Sequence, residues 1–198
     1  MPTLKTEPPT DERRDCSVEL ELRAADDNKQ PMIVGYAAVF GQMSEDLGGF
    51  REQIAPGAFS KTIGEDIRAL FNHDRSVVLG RSKAKTLRLS EDARGLRVEI
   101  DPPDTQDARD LVTKMKRGDI SGMSFGFRTI KDKWDEVDGK IVRTLVELRL
   151  FDVSVVTYPA YPQTDVAVRS LEGWRAEQAP PLPDFANMRR KLDLLGAD

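Results

Sequence analysis

The chain has 198 residues, 39% apolar and 32% charged, with a formal net charge of −4, which suits one domain with a proper core, a heavily charged surface and tails. A mildly acidic balance argues against nucleic acid as the principal partner, and no apolar run approaches the length of a membrane span. One cysteine, Cys16, and one histidine, His73, exclude an internal disulfide and a cysteine-cluster zinc site and argue against a histidine-based metal centre; only carboxylates remain for a hard cation, and no cofactor is expected.

Residues 1–15 are rich in proline and charge, show no periodicity and contain no hydrophobic signal core. They read as a flexible arm on a protein that begins in the cytosol, with the folded domain expected over 16–168. From Ser17 the run S-V-E-L-E-L-R-A alternates, placing Val18, Leu20 and Leu22 on one face of a half-buried strand. Asp26, Asp27 and Asn28 supply a turn, and Met32 to Phe40 returns as the second strand of a hairpin, Gly35 marking a bulge and Gly41 the end. Pro56 and Gly57 open a short helical turn carrying Ala58, Phe59 and Ile63. Ile67 to Asn72 reads as a strand that delivers His73 into a loop, where catalytic side chains are commonly presented on a rigid scaffold.

Leu87 and Leu89, then Leu96, Val98 and Ile100, alternate on either side of E-D-A-R-G and form a β-hairpin that Pro102 and Pro103 end. Asp104 or Thr105 caps a helix with Ala108, Leu111, Val112 and Met115 along its core-facing side. Lys114, Lys116 and Arg117 sit at the negative end of its dipole rather than forming a binding patch. Gly118 stops the helix, and Ile120 begins the strand that carries Ser124. The turn D-E-V-D-G-K leads into Ile141 to Val156, whose apolar residues change phase: Val146, Leu148 and Leu150 share one parity, Phe151, Val153 and Val155 the other. A bulge near Leu150 keeps all six on the core side and turns Glu147, Arg149, Asp152 and Ser154 the other way. Tyr158 to Pro162 forms a stiff aromatic loop that either caps the sheet or lines a groove. Residues 169–198 read as a flexible tail, a proline-rich linker followed by a short helix from Phe185 to Leu195 that gains order only by docking; the segment is expected to be detachable.

The chemistry concentrates in G-D-I-S-G-M-S-F-G-F, Gly118 to Phe127. Ser124 stands between Gly122 and Gly126, which allow close approach of a ligand, while Met123, Phe125 and Phe127 anchor one strand face. With His73 it supplies the minimal pair of a nucleophile and its base. The hydroxyl is a weak nucleophile, so the imidazole must accept its proton during attack and return it to the leaving amine. A carboxylate would fix the imidazole tautomer, and Glu147 and Asp152 are both candidates. Asp74 adjoins the histidine but points away from it on an extended chain, so it reads as a surface charge. Ser121 is the rival nucleophile; it and Ser124 face opposite sides of a regular strand, so only one can meet His73. Ser154 reads as an outward strand residue with no chemical role. G-M-S-F-G also matches the G-x-S-x-G elbow of small esterases, but that elbow needs a strand-to-helix turn and a histidine last in order. Here the histidine comes first and both flanks read as β.

Taken together and in order, G-Y-A-A-V-F, I-A-P-G-A-F, L-F-N-H-D, G-M-S-F-G-F and L-R-L-F-D-V-S-V-V-T-Y-P-A-Y-P resemble the prohead maturation proteases of tailed bacteriophages from Ser17 to Ala167. The resemblance implies a mainly β (α+β) fold, a herpesvirus-assemblin-like β-barrel flanked by a few helices. It implies a serine endopeptidase that cleaves capsid and scaffold proteins, and itself, inside the immature capsid in the host cytoplasm. It implies His73 as base and Ser124 as nucleophile, sets Asp152 ahead of Glu147 as the acid because the family's L-x-D/E-V-S motif falls there, and puts oxyanion donors near Thr157 and Tyr158. The implied partners are the major capsid protein or its scaffold segment and scaffolding and portal-associated proteins, with homo-oligomers expected and no membrane or direct nucleic-acid role. The alternative is a catalytically silent assembly module of the same fold, against which the intact serine, histidine and acid argue.

Overall fold

The computed structural model describes residues 11–16, 20–24, 31–157 and 171–175. Among them, alternating patterns fold into ten strands: β1 (Glu12–Cys16), β2 (Glu21–Arg23), β3 (Met32–Val39), β4 (Arg51–Ile54), β5 (Arg68–Phe71), β6 (Asp74–Arg81), β7 (Leu87–Glu91), β8 (Gly95–Ile100), β9 (Gly122–Val137) and β10 (Lys140–Val156), with helix α1 (Gln106–Arg117) between β8 and β9. The larger sheet has the order β1-β9-β10-β5-β6, and the smaller, antiparallel one the order β2-β3-β8-β7. β10 is long enough to carry β9 along one edge and two parallel neighbours along the other, β4 beside 142–145 and β5 beside 152–155. The larger sheet curls into a half-barrel, and β3 of the smaller sheet packs against β1 and β9. The mainly β expectation holds.

The core lies between the two sheets. Met123, Phe125 and Phe127 project into it from β9, and Leu148, Leu150, Val153 and Val155 from β10. Phe125 meets Phe59 edge-on at 5.5 Å between ring centroids and stacks on Phe127 at 5.0 Å. Each such fully buried side chain contributes about 1.5–3 kcal/mol, so the strand bearing Ser124 is held by its inward face. α1 buries the expected Ala108, Leu111, Val112 and Met115, and Gly118 closes it in the left-handed conformation at φ 81°. The β7–β8 hairpin pairs as its alternation predicts. β9 and β10 join through Asp138 and Gly139, at φ 52° and 70°, the backbone that a two-residue hairpin turn requires.

Residues 56–64 form the short helical turns expected, with Ala58 and Phe59 buried. Three other expectations change. Residues 12–15, expected as part of the arm, belong to a strand paired to β9, because their buried charges find partners, as described below. In β3 the bulge lies between Tyr36 and Ala38 instead of at Gly35. In β10 the bulge near Leu150 is present, but further register shifts between Leu145 and Leu148 put Leu145 in the core in place of Val146. Phe151, the extra residue of the bulge, lies half-buried with the Arg128 guanidinium 5.5 Å from its ring centre. The expected features at Val18, Asp26 to Asn28, Tyr158 to Pro162 and Phe185 to Leu195 lie outside the described residues.

Candidate active site

His73 is delivered by the two-residue turn between β5 and β6, not by an extended strand end. Asn72 and His73 both take left-handed backbone, at φ 50° and 56°, a conformation that costs an ordinary residue about 1–2 kcal/mol. Asparagine tolerates it better than most, and Asn72 is tied down from two sides. Its N–H donates to the Val155 carbonyl at 2.9 Å, and its Oδ1 accepts from the Thr157 N–H at 3.0 Å and the Thr157 hydroxyl at 2.9 Å. The turn is thereby fastened to the end of β10.

The sheet order then brings the chemistry together. β9 sets Ser124 opposite Ser154 and Gly126 opposite Asp152 on β10, while β5 lies along the other edge of β10 with Phe71 opposite Val155. Three adjacent elements therefore supply the three groups. His73 Nδ1–H donates to Asp152 Oδ1 at 2.6 Å, and its Nε2 lies 2.8 Å from Ser124 Oγ. Giving the Nδ1 proton to the carboxylate leaves Nε2 free to accept from the hydroxyl, the tautomer that general-base catalysis needs. The imidazole is only 6% exposed and Asp152 17%, so these hydrogen bonds act with little competition from water.

Ser154, read from the sequence as having no chemical role, belongs to the same group. Its hydroxyl donates to Asp152 Oδ1 at 2.9 Å and lies 3.2 Å from His73 Nδ1, fully buried. The sequence already puts Ser154, two positions past Asp152 on one strand, on the same face; what it does not show is that the imidazole comes within reach of both. A hydrogen bond to a charged group contributes about 1.5–3 kcal/mol. Ser154→Ala is therefore expected to lower kcat about ten-fold or more with KM unchanged, as measured by steady-state cleavage of a peptide substrate.

Gly126 has a reason that its sequence context does not reveal. A Cβ there would stand 2.5 Å from Asp152 Oδ2, so the glycine makes room for the carboxylate. In Gly126→Ala the Asp152 side chain must swing away from His73 Nδ1. A misplacement of this size costs about a hundred-fold in rate, and pre-steady-state cleavage kinetics on the folded variant checks it.

Among the described residues, the other candidates do not join this group. The Glu147 carboxylate accepts from Lys61 Nζ at 2.8 Å, so the alternative acid faces a surface lysine. The Thr157 N–H, expected to serve an oxyanion, is committed to Asn72, and Tyr158 lies outside the described residues. Ser121 is exposed and precedes β9. Asp74 accepts from the Ser76 hydroxyl at 2.6 Å and N–H at 2.8 Å, which hold its carboxyl below the ordinary range.

Beside the site lies a buried ionic cluster that the sequence did not announce. Arg14 donates to Glu52 at 2.6 and 3.1 Å and to Glu12 at 2.8 Å; Arg143 donates to Glu12 and Glu52, each at 3.0 Å, and to Asp132 at 2.7 Å. Burial pushes the Glu12 carboxyl up, but Arg143 and Arg14 outweigh it and hold it below its usual range. Paired in this way, charges tolerate an interior that would reject them singly.

Comparisons with known proteins give the family and the fold. A family model described as caudovirus prohead serine protease matches residues 18–177. The prohead protease of Enterobacteria phage HK97 is 33% identical over 160 residues, covering 78% of this chain and 68% of that protein. Among solved structures, the capsid assembly protease of bacteriophage T4 superposes with a TM-score of 0.53 at 10% identity, over 77% of this chain and 100% of that one; at that identity the likeness speaks for the fold. A serine and a histidine in hydrogen-bond reach on such a fold, with most of the chain matched by one family model, lead to one conclusion: this protein belongs to the prohead serine proteases of tailed bacteriophages.

Proposed function

We propose that Ser124 is the nucleophile, His73 the general base and acid, and Asp152 the orienting carboxylate of this capsid-maturation protease. The observation that carries the assignment is the placement of His73, with one ring nitrogen on Asp152 and the other on Ser124. Ser124 Oγ attacks the scissile carbonyl while His73 Nε2 takes its proton, and Asp152 stabilises the resulting imidazolium. Collapse of the tetrahedral intermediate breaks the C–N bond, and His73 returns the proton to the departing amine. Water, activated by the same imidazole, then releases the acyl group and regenerates the serine.

The substrates are capsid and scaffold polypeptides met inside the prohead. Within that class, the major capsid protein or its scaffold segment, scaffolding and portal-associated proteins and the enzyme's own tail are the targets, assembled in the host cytoplasm. Confinement with concentrated substrate favours even a weak site by raising effective concentration, and self-association of the protease would add to this. Coexpression with the capsid protein, followed by gel and intact mass, tests the reading. Processing is expected with the wild type and with Ser121→Ala, and none with His73→Ala. Undiminished processing by His73→Ala would refute the assignment.

A further inference from the structure

A serine protease attacks only what reaches its hydroxyl, yet Ser124 is fully buried and its Oγ lies 3.0 Å from the carbonyl oxygen of Arg14. The strand that brings this carbonyl is β1, an edge strand paired antiparallel to 123–127 of β9 with Asp15 opposite Ser124. The family match begins at residue 18, so β1 lies outside the segment this chain shares with the family model. We propose that β1 occupies the enzyme's own substrate edge: 123–127 of β9 receives an extended peptide as an added antiparallel strand, and β1 is an intramolecular occupant that must leave first. The inference rests on Ser124 as the nucleophile.

Two observations support it beyond the burial. The hydroxyl has a single proton to donate, and both the Arg14 carbonyl and His73 Nε2 lie within its reach. While the proton points at the carbonyl, the base cannot take it. The anchor of β1 is also separable. Glu12 and Arg14 carry opposite charges, so their departure leaves the net charge of the buried cluster unchanged, and Arg143 keeps Glu52 at 3.0 Å and Asp132 at 2.7 Å. Strand addition obtains its affinity from main-chain hydrogen bonds, which a substrate peptide supplies as well as β1 does.

The test compares the full chain with a variant lacking residues 2–16 and with the full-length double variant Glu12→Ala/Arg14→Ala, which keeps the strand but removes its buried ionic anchors, leaving the exposed Asp11–Arg128 pair. Each is treated with an alkyl fluorophosphonate, labelling is followed by intact mass, and near-UV circular dichroism reports folding. If β1 is detached in a tenth of molecules or fewer, its removal raises the Ser124 labelling rate by about ten-fold or more. The double variant is expected to move the same way, and it decides the matter if the truncation does not fold. A synthetic peptide of residues 10–17 is expected to slow labelling of whichever variant is accelerated. Equal labelling rates in the intact chain and the folded variants, or no protection by the peptide, would overturn the proposal. Label that persists in a Ser124→Ala background would instead refute the nucleophile assignment itself, so the two failures are distinct.

Discussion

Ser124→Ala is expected to lower the rate of peptide-bond cleavage about a million-fold, as loss of a triad nucleophile does in serine proteases. The variant keeps His73 and Asp152 in place but has no oxygen to form the acyl bond, so only substrate binding and residual electrostatic stabilisation remain. The fold should scarcely notice. Met123, Phe125 and Phe127 still anchor β9 from its other face, and the lost hydroxyl contacts to His73 and Arg14 are worth about 1 kcal/mol net. For a chain of this size that corresponds to about 2–4 °C in Tm. Single-turnover cleavage of capsid protein, with a thermal melt on the same preparation, measures both. A variant that melts normally and cleaves within ten-fold of the wild type would move the nucleophile away from Ser124.

Asp152→Asn is expected to cost about ten-thousand-fold in kcat, although it changes no atom that touches substrate. The carboxylate accepts from His73 Nδ1–H and from the Ser154 hydroxyl on one oxygen. An amide can offer its own N–H to Nδ1, which drives the ring proton to Nε2 and leaves no acceptor for the serine proton. It also gives up the charge that stabilises the imidazolium. Glu147→Gln is the comparison: it disturbs one exposed pair with Lys61, whose worth is at most about 1 kcal/mol of stability, and cleavage should stay near wild type. Steady-state kcat for both variants on one substrate decides between the acids, and a loss confined to Glu147→Gln would reverse the assignment.

Much of this site was legible in the chain because β-sheet geometry maps short-range pattern onto faces. The alternation of Met123, Phe125 and Phe127 already implies that Ser124 and Gly126 share the opposite side. The parity change around Leu150 implies the bulge that aligns Asp152 with Val153 and Val155 on correct faces. The same rule puts Ser154 beside Asp152, but an outward serine on a strand is usually only solvated, so nothing local marks it as part of the site. The helix stripe from Ala108 to Met115 was equally plain, since its 3.6-residue period has no competing explanation.

What the sequence determined by itself was most of the local elements, though not β1 or β4, the two chemically competent residues and, through their ordered motifs, the family. Tertiary structure alone decided the rest. Whether Glu147 or Asp152 meets the imidazole depends on where β5, which carries the His73 turn, pairs along β10, a contact between segments distant in the chain that no local pattern encodes. The reason for Gly126 is a carboxylate on a neighbouring strand, and the reason for the Asn72 turn is the far end of β10. The conversion of a charged N-terminal segment into β1 depends on Glu52 and Arg143, distant in the chain, which neutralise Glu12 and Arg14. Unpaired, those charges would have stayed in water, and only folding brings the partners that let them be buried.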